Sequence, residues 1–335
     1  MFCGLTFAQK AVEQGDFFKS SYEEFLDLTG SRNNDKLKIR MRKKINKAVI
    51  VAAGFGTRFL PASKAVPKVM FPVIDKPIIQ LVVEDIVEAG IKEIIIVLSR
   101  FTEAIKGHFT EFPQLNELLR KTGKEKVLEE LKKIENLAHF TFVYQRPGRI
   151  GNGVALLSAK EAIGDEPFVL SWADEFFIAK PSRVAQLVEA YEKFGGMING
   201  CIRVNEPIYG SRFGFYVGDE VEEGVIKVRD LVEKPGVGKA PSEFGSVSGA
   251  VVFPELFDYL EKADRSLDSK VELYYNTYGL LPMLKDGFEL YAVEYKNCRY
   301  FDTGDKLGYL KSMVELGLEH PEFGEEFRNW IKKLR

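Results

Sequence analysis

The apolar positions of the chain alternate between two periods from Lys47 onward. KAVIVAA (47–53) and EIIIVLS (93–99) are continuous apolar runs as long as a strand, and IIQLVVEDIVEAG (78–90) between them has the period of a helix. Valine and isoleucine runs without polar alternates are typical of strands that are covered on both faces, as in a parallel sheet. The pattern therefore predicts a βαβ unit with a right-handed crossover.

The alternation continues to about residue 205, where hairpin signals replace it. HFTFVYQ (139–145) and PFVLSW (167–172) predict further strands, with helical GNGVALLSAKEAIG (151–164) between them. RFGFYVGDEVEEGVIKVRDLVEKP (212–235) has turn residues between alternating runs, which favours a β-rich lobe. We expect an α/β fold with a Rossmann-like, doubly wound, mixed and mostly parallel sheet, joined by this lobe.

These changes of pattern predict three segments. Residues 1–45 form an N-terminal extension, in which FAQKAVEQGDFFKSSYEEFLDL predicts one amphipathic helix or two short ones. Residues 46–320 carry the alternating elements and are expected to fold as one domain. Residues 321–335 predict a C-terminal helix.

Composition excludes several classes of protein. A net charge of −2 gives no basic excess for general nucleic-acid binding, so we expect no nucleic-acid partner. Cys3, Cys201 and Cys298 are too far apart for a C-x-x-C metal motif or a disulfide framework. We also expect no membrane span and no signal peptide, because no apolar run reaches about 18 residues and the start lacks a basic region. The expected location is the cytoplasm.

The loop after the first strand carries the clearest chemistry. It is neither a P-loop nor a dinucleotide fingerprint, since the latter requires glycine where Phe59 stands. Gly54 and Gly56 allow backbone N–H groups to turn toward an anion, and Arg58 and Lys68 add positive charge. Ligands bind at the carboxyl ends of the strands in open α/β sheets. The loop therefore predicts a nucleoside triphosphate site, with an ordinary tight turn as the alternative.

GFGTRFLPASKAVPKVMFPVIDKPIIQ (54–80) resembles the signature of sugar nucleotidyltransferases, and within them the bacterial UTP-glucose-1-phosphate uridylyltransferases. The resemblance runs from Lys47 to about residue 320, and residues 1–45 have no counterpart in it. Six features occur in the family's order: the G-x-G-T-R loop, Pro67-Lys68, Gln145 before a GNG turn, Asp174 at a strand end, Glu233-Lys234-Pro235 and Asp302-Thr303-Gly304.

The resemblance implies a reaction and a set of site residues. In this family the phosphate oxygen of a sugar 1-phosphate attacks the α-phosphorus of the nucleotide and pyrophosphate leaves. We therefore expect Mg²⁺-dependent formation of UDP-glucose from UTP and glucose 1-phosphate, by a homo-oligomer (dimer or tetramer) whose β-rich lobe binds the sugar. The implied catalytic residues are Arg58, Lys68 and Lys234; the nucleotide-binding residues are Ala52, Ala53, Gly54, Gly56, Thr57, Gln145, Gly151 and Gly153; the sugar-binding residues are Gly214, Glu233 and Lys234; and the Mg²⁺ ligands are Asp174 and Asp302.

Two stretches depart from the family pattern. Where the family reads G-L-G-H-A, this chain has Val154 in place of the histidine, and Asn276 and Thr277 replace the threonine and aspartate of E-I-Q-L-T-D. Another nucleotide (dTTP or GTP) or another sugar 1-phosphate is therefore an alternative. A non-catalytic nucleotide-sugar sensor is a second alternative. A glycosyltransferase is disfavoured, because the D-x-D motif is missing around Asp174.

Overall fold

The computed structural model describes residues 43–334, so the helices predicted within 1–42 lie outside the described residues. The chain forms two compact units, each assembled from separate stretches. The first unit comprises residues 46–145, 171–185 and 297–334, and the second comprises 43–45, 146–170 and 186–296. A single domain over 46–320 stays a prediction.

The strands of the described residues are short and fall in both units. In chain order they are β1 Lys47–Val51, β2 Pro72–Val73, β3 Lys76–Pro77, β4 Glu93–Leu98, β5 His139–Tyr144, β6 Phe168–Trp172, β7 Glu175–Ala179, β8 Met197–Arg203, β9 Gly214–Glu222, β10 Val225–Glu233, β11 Phe244–Val252, β12 Leu290–Glu294 and β13 Cys298–Asp302.

The α-helices of the described residues lie between these strands and at the carboxyl end. They are α1 Ile78–Glu88, α2 Ala104–Phe109, α3 Pro113–Lys121, α4 Glu125–Glu135, α5 Asn152–Ser158, α6 Lys160–Ile163, α7 Arg183–Phe194, α8 Leu256–Ser266, α9 Leu281–Lys285, α10 Lys306–Glu319 and α11 Gly324–Lys332. No helix of the part that the structure describes is long and apolar enough to cross a membrane.

The first unit is built on three parallel strands, because β4 pairs with both β1 and β5 in parallel register. The apolar runs of β1 and β4 are almost entirely buried, and α1 buries its apolar face from Ile78 to Ile86. The predicted parallel pairing of 47–53 with 93–99 is confirmed. In the same unit β7 and β13 form an antiparallel pair, with Asp302 opposite Glu175.

A buried ion pair contributes to the first unit. Arg183 is completely buried, and its Nε lies 2.6 Å from Oδ2 of Asp85 on α1. Arg183 Nη2 also donates to Ser171 Oγ, at 3.2 Å. Burial raises the pKa of Asp85 although the guanidinium acts in the opposite direction. Loss of one partner would leave a buried charge uncompensated, so the pair holds the start of α7 against α1.

The second unit has a mixed sheet in the order β6-β11-β8-β12-β10-β9. Its strand pairs are antiparallel, apart from β8 with β12 among those described. The mostly parallel arrangement thus holds for β1, β4 and β5 but not here. For one pair the reason is local connection: β9 and β10 are joined by the tight Glu223-Gly224 turn, with Gly224 at φ 76°, and such turns make neighbouring strands antiparallel.

Candidate active site

The G-x-G-T-R loop (residues 54–68) begins at the carboxyl end of β1. Gly56 has φ 61°, and a Cβ there would lie 3.0 Å from Lys68 Cβ, so glycine lets the loop fold back on itself. Ser63 Oγ donates to the Gly56 carbonyl at 2.8 Å, which closes the turn. Gly54 is different, because a Cβ there would meet no atom within 4 Å. Its exposed backbone is therefore open to a ligand.

Lys68 lies at the start of a short 3₁₀ helix, Lys68–Met70, and points to the strand end that carries Asp174. Its Nζ lies 2.6 Å from Asp174 Oδ2; the lysine side chain is 10% exposed and the aspartate 42%. The backbone N–H of Ala173 donates to the Val51 carbonyl at 3.3 Å, which holds Asp174 beside the end of β1. One cation and one carboxylate are thus fixed at the mouth of the loop.

The Asp302-Thr303-Gly304 triplet joins the same cluster. Because Asp302 pairs with Glu175 between β13 and β7, Thr303 lies beside Asp174, and its Oγ1 donates to the Asp174 carbonyl at 2.6 Å. Arg58 Nη1 approaches the Gly304 carbonyl at 3.5 Å. The first unit therefore brings together Arg58 and Lys68, predicted from the sequence to be catalytic, with Asp174 and Asp302, predicted to bind the metal.

An aromatic cluster supports the loop from behind. Phe59, Phe71 and Tyr309 lie with their ring centroids 5.3 to 6.0 Å apart in edge-on contacts. Tyr309 belongs to α10 and donates its hydroxyl to the Pro72 carbonyl at 2.7 Å. Burial raises the pKa of Tyr309 above its ordinary value. The helix after Asp302 is thereby tied to the segment that carries Arg58 and Lys68.

The carboxylates of Asp174 and Asp302 fit a hard divalent cation. Glu175, the residue after Asp174, is the register partner of Asp302 between β7 and β13, so a further carboxylate-bearing residue adjoins both. The described residues contain no group of three His, Cys, Asp or Glu residues that could hold a metal ion alone. Mg²⁺ needs no such group, since it commonly binds one or two carboxylates, substrate phosphates and water. The donor set suits a cation that arrives with a triphosphate.

The other predicted nucleotide residues of the first unit lie in the segments that follow β1 and β5. Ala52 and Ala53 are buried just after β1, and the Ala52 N–H donates to the Val97 carbonyl at 2.9 Å. Thr57 is exposed and opens the 3₁₀ helix Thr57–Phe59. Gln145 is half-buried directly after β5, and its N–H donates to the Leu98 carbonyl at 2.7 Å.

In the second unit, Gly151 and Gly153 have a packing role that their sequence does not reveal. A Cβ on Gly151 would lie 2.3 Å from the Leu273 carbonyl oxygen, and one on Gly153 would lie 2.9 Å from it. The Gly153 N–H donates to that same carbonyl at 2.8 Å. Val154 is 4% exposed, so the missing family histidine falls on a buried position.

Gly214, Glu233 and Lys234 also meet in the second unit. Gly214 and Glu233 are directly opposite each other on β9 and β10, and a Cβ on Gly214 would lie 2.9 Å from Glu233 Oε2. Lys234 has φ 44°, an unusual conformation for a residue with a side chain, and is 56% exposed. Its Nζ lies 3.6 Å from Glu233 Oε1. The Lys234 cation and the Glu233 carboxylate, a hydrogen-bond acceptor, thus project from the same end of β10.

Three residues of these clusters have no role assigned to them from the sequence. Thr303 could have been found, because it stands inside the Asp302–Gly304 triplet. Asn276 was noticed as a departure from the family, although its contact with Glu233 was not. Tyr309 carries no sequence signal, since an aromatic residue on a helix is usually a packing residue.

The fold and the site define a class. A model of the nucleotidyl transferase family matches residues 47–316, and the chain belongs to this family. The UTP--glucose-1-phosphate uridylyltransferase of Staphylococcus epidermidis is 37% identical over 292 residues, which is 87% of this chain and 99% of that protein.

Solved structures give the same result. A UTP-bound UGPase from Acinetobacter baumannii has a TM-score of 0.76 and 32% identity, with 87% of this chain and 100% of that chain covered. A UDP-glucose pyrophosphorylase complexed with UDP-glucose has a TM-score of 0.72 and 30% identity, with 82% and 100% covered. The described chain therefore has the nucleotidyltransferase fold with a mixed sheet.

Proposed function

We propose that this chain transfers the uridylyl group of UTP to glucose 1-phosphate, giving UDP-glucose and pyrophosphate. Two relatives that this chain matches over almost their whole length are named for this activity. Two similar structures contain UTP and UDP-glucose, the donor and the product of the reaction. The observation in this chain that carries the proposal is the 2.6 Å contact between Lys68 and Asp174 at the mouth of an open glycine loop.

The contact joins a cation, Lys68, and a carboxylate, Asp174, and phosphoryl chemistry needs both kinds of group. The reaction forms a bond between a phosphate oxygen of glucose 1-phosphate and the α-phosphorus of UTP, while the bond from the α-phosphorus to the bridging oxygen breaks. Pyrophosphate leaves with the electron pair of that bond. Negative charge grows on the oxygens around the α-phosphorus and on the leaving group, so fixed cations lower the barrier.

The residues of the first unit have separate tasks in this proposal. Lys68 exchanges its contact with Asp174 for the phosphate oxygens of UTP, and Arg58 presents a planar fork of donors to them. The backbone of Gly54, Gly56 and Thr57 supplies N–H donors to the same phosphates. Gln145, with Ala52, Ala53, Gly151 and Gly153, contacts the uracil and ribose.

Asp174 and Asp302 would hold a divalent cation, which we propose to be Mg²⁺. Bound there, the cation would neutralise phosphate charge and orient the triphosphate. The carboxylates themselves keep their place through the Thr303 hydroxyl and the Gly304 N–H, which donates to Asp302 Oδ1 at 2.7 Å.

The second unit provides the proposed acceptor residues. Lys234 binds the phosphate of glucose 1-phosphate as a point charge, and Glu233 accepts hydrogen bonds from sugar hydroxyls. Gly214 allows close approach to the backbone. The doubly wound Rossmann-like arrangement, the use of the β-rich lobe for sugar, a homo-oligomer and a cytoplasmic location belong to the same proposal.

The test is pyrophosphate release with Mg²⁺ across UTP, dTTP, GTP, CTP and ATP, each combined with several sugar 1-phosphates. We expect release with UTP and glucose 1-phosphate only. Release with a different pair would keep the chemistry and change the substrate, and no release while UTP still binds would favour the sensor. Removal of the metal with a chelator should abolish release, and re-addition of Mg²⁺ should restore it.

Asp174→Asn extends the test to the site. The change keeps shape and removes charge, so we expect turnover to fall by about a hundredfold or more while the protein stays folded, with a melting temperature lowered only by the loss of the Lys68 ion pair. Asp219→Asn is the matched control, because Asp219 has an exposed ion pair with Arg229 in the second unit. Normal turnover of Asp174→Asn would move the metal role to Glu175 or Asp302.

A further inference from the structure

The carboxylate of Glu233 is contacted on each of its oxygens. Asn276 Nδ2 donates to Oε2 at 3.4 Å, and Lys234 Nζ lies 3.6 Å from Oε1. The Glu233 side chain is only 37% exposed, and Oε2 lies over Gly214, where a Cβ would come within 2.9 Å. The carboxylate therefore has a defined position, with Asn276 on the side away from the lysine.

Asn276 is placed unusually for an asparagine. It is the first residue of a π-helix, Asn276–Leu280, whose following residues are buried. Its Oδ1 is buried and has no hydrogen-bond partner among the described residues. A buried acceptor without a partner is unfavourable, so an apolar side chain would satisfy this position better. The amide atom of Asn276 that makes a hydrogen bond is Nδ2, which donates to Glu233.

The segment before Asn276 is held firmly. The Leu273 N–H donates to the Ile150 carbonyl at 2.9 Å, and the Tyr275 N–H donates to Asn152 Oδ1 at 2.8 Å. The Tyr275 hydroxyl accepts from Nδ2 of buried Asn199 at 3.3 Å. The backbone that carries Asn276 is therefore fixed on two sides, and its amide has a constant position relative to Glu233.

We propose that Asn276 is a positioning residue that orients Glu233 and so sets the selectivity for the hexose of the sugar 1-phosphate. The inference rests on the proposed function and deepens it. A carboxylate has about four acceptor positions, and the single bond from Asn276 leaves the others for sugar hydroxyls. Because hydroxyl donors of epimeric sugars point in different directions, a carboxylate with one orientation accepts from one epimer better than from another.

Asn276→Ala and Asn276→Asp test the proposal by steady-state kinetics. For Asn276→Ala we expect the KM for glucose 1-phosphate to rise about fivefold, as for the loss of one hydrogen bond. The rise should be larger for Asn276→Asp, because a second negative charge then faces Glu233. In both, kcat and the KM for UTP should stay near wild-type values, and the melting temperature of Asn276→Ala should as well. Preference for glucose 1-phosphate over galactose 1-phosphate should shrink.

Asn136→Asp, at an exposed position after α4, is the control for an added charge. Calorimetric binding of glucose 1-phosphate to the wild type and to each variant measures the same contact without turnover, which separates this inference from the proposed activity. Equal affinity for glucose 1-phosphate in wild type and Asn276→Ala would overturn the inference even if the enzyme is active. So would a parallel loss of UTP affinity and melting temperature, since that result marks a purely structural role.

Discussion

Lys68→Met is the most direct perturbation of the proposed site. Methionine keeps much of the length and apolar stem of the lysine but removes the charge that faces Asp174 at 2.6 Å. The change therefore separates the electrostatic contribution of Lys68 from its packing. Lys68→Arg is the companion variant, because it retains the charge with a different geometry.

The structure sets the size of two effects of Lys68→Met, the loss of stability and the loss of turnover. At an effective dielectric constant of about 20, charges 2.6 Å apart attract by roughly 6 kcal/mol. Most of that is offset by desolvation of Lys68 and by water at Asp174, which is 42% exposed, so the net stability lost should be about 1–2 kcal/mol. The effect on the reaction should be larger, about 3–4 kcal/mol or 10²- to 10³-fold in kcat, because the cation faces developing charge.

The assay is pyrophosphate release with UTP and glucose 1-phosphate, together with thermal melting of the same preparations. The control is Lys76→Met, which removes a lysine from a 3.0 Å ion pair with Glu84 in the same unit. We expect the control to keep its turnover, so a loss specific to Lys68→Met reports on the site and not on ion pairs in general.

Turnover of Lys68→Met within about threefold of the wild type would refute the reasoning. It would mean that the contact with Asp174 is structural and that the triphosphate is neutralised elsewhere. A melting temperature that falls far more than that of Lys76→Met, with kcat unchanged per folded molecule, would lead to the same conclusion.

Further predictions concern the glycines and one histidine. Gly54→Ala should leave the melting temperature unchanged, because a Cβ there meets no atom within 4 Å, while the KM for UTP rises about tenfold; an unchanged KM would remove Gly54 from the nucleotide site. Gly151→Ala should lower the free energy of unfolding by about 3 kcal/mol or more, because its Cβ would overlap the Leu273 carbonyl. Gly148→Ala, also at positive φ but in open space, should lower it by only about 1 kcal/mol. Equal losses of stability in thermal unfolding would contradict the packing argument. Burial lowers the pKa of His108 below its ordinary value of 6.5, so the unfolded chain binds the proton more readily and stability should fall as the pH drops below 6.5. Melting curves across pH should show a smaller loss for His108→Gln, and an identical pH profile would refute this.

The local features of the chain were predictable from its sequence. The βαβ opening follows from apolar runs and a helical period, which reflect the burial of each element within a few residues. The Glu223-Gly224 hairpin and the glycines of the 54–56 turn follow from backbone conformations that favour glycine. Their order along the chain, together with Asp174, Glu233-Lys234 and Asp302, was sufficient to indicate the family to which the chain belongs.

Only the tertiary structure decided which of these residues meet. Lys68 and Asp174 are 106 positions apart and Thr303 and Asp174 are 129 apart, and no period of the sequence encodes such contacts. Likewise, the antiparallel pairs of β11 and the contact between Asn276 and Glu233 depend on register between distant segments. The physical reason is that the hydrophobic period reports only which face of an element is buried. Which side chains lie opposite it is determined when the elements pack together.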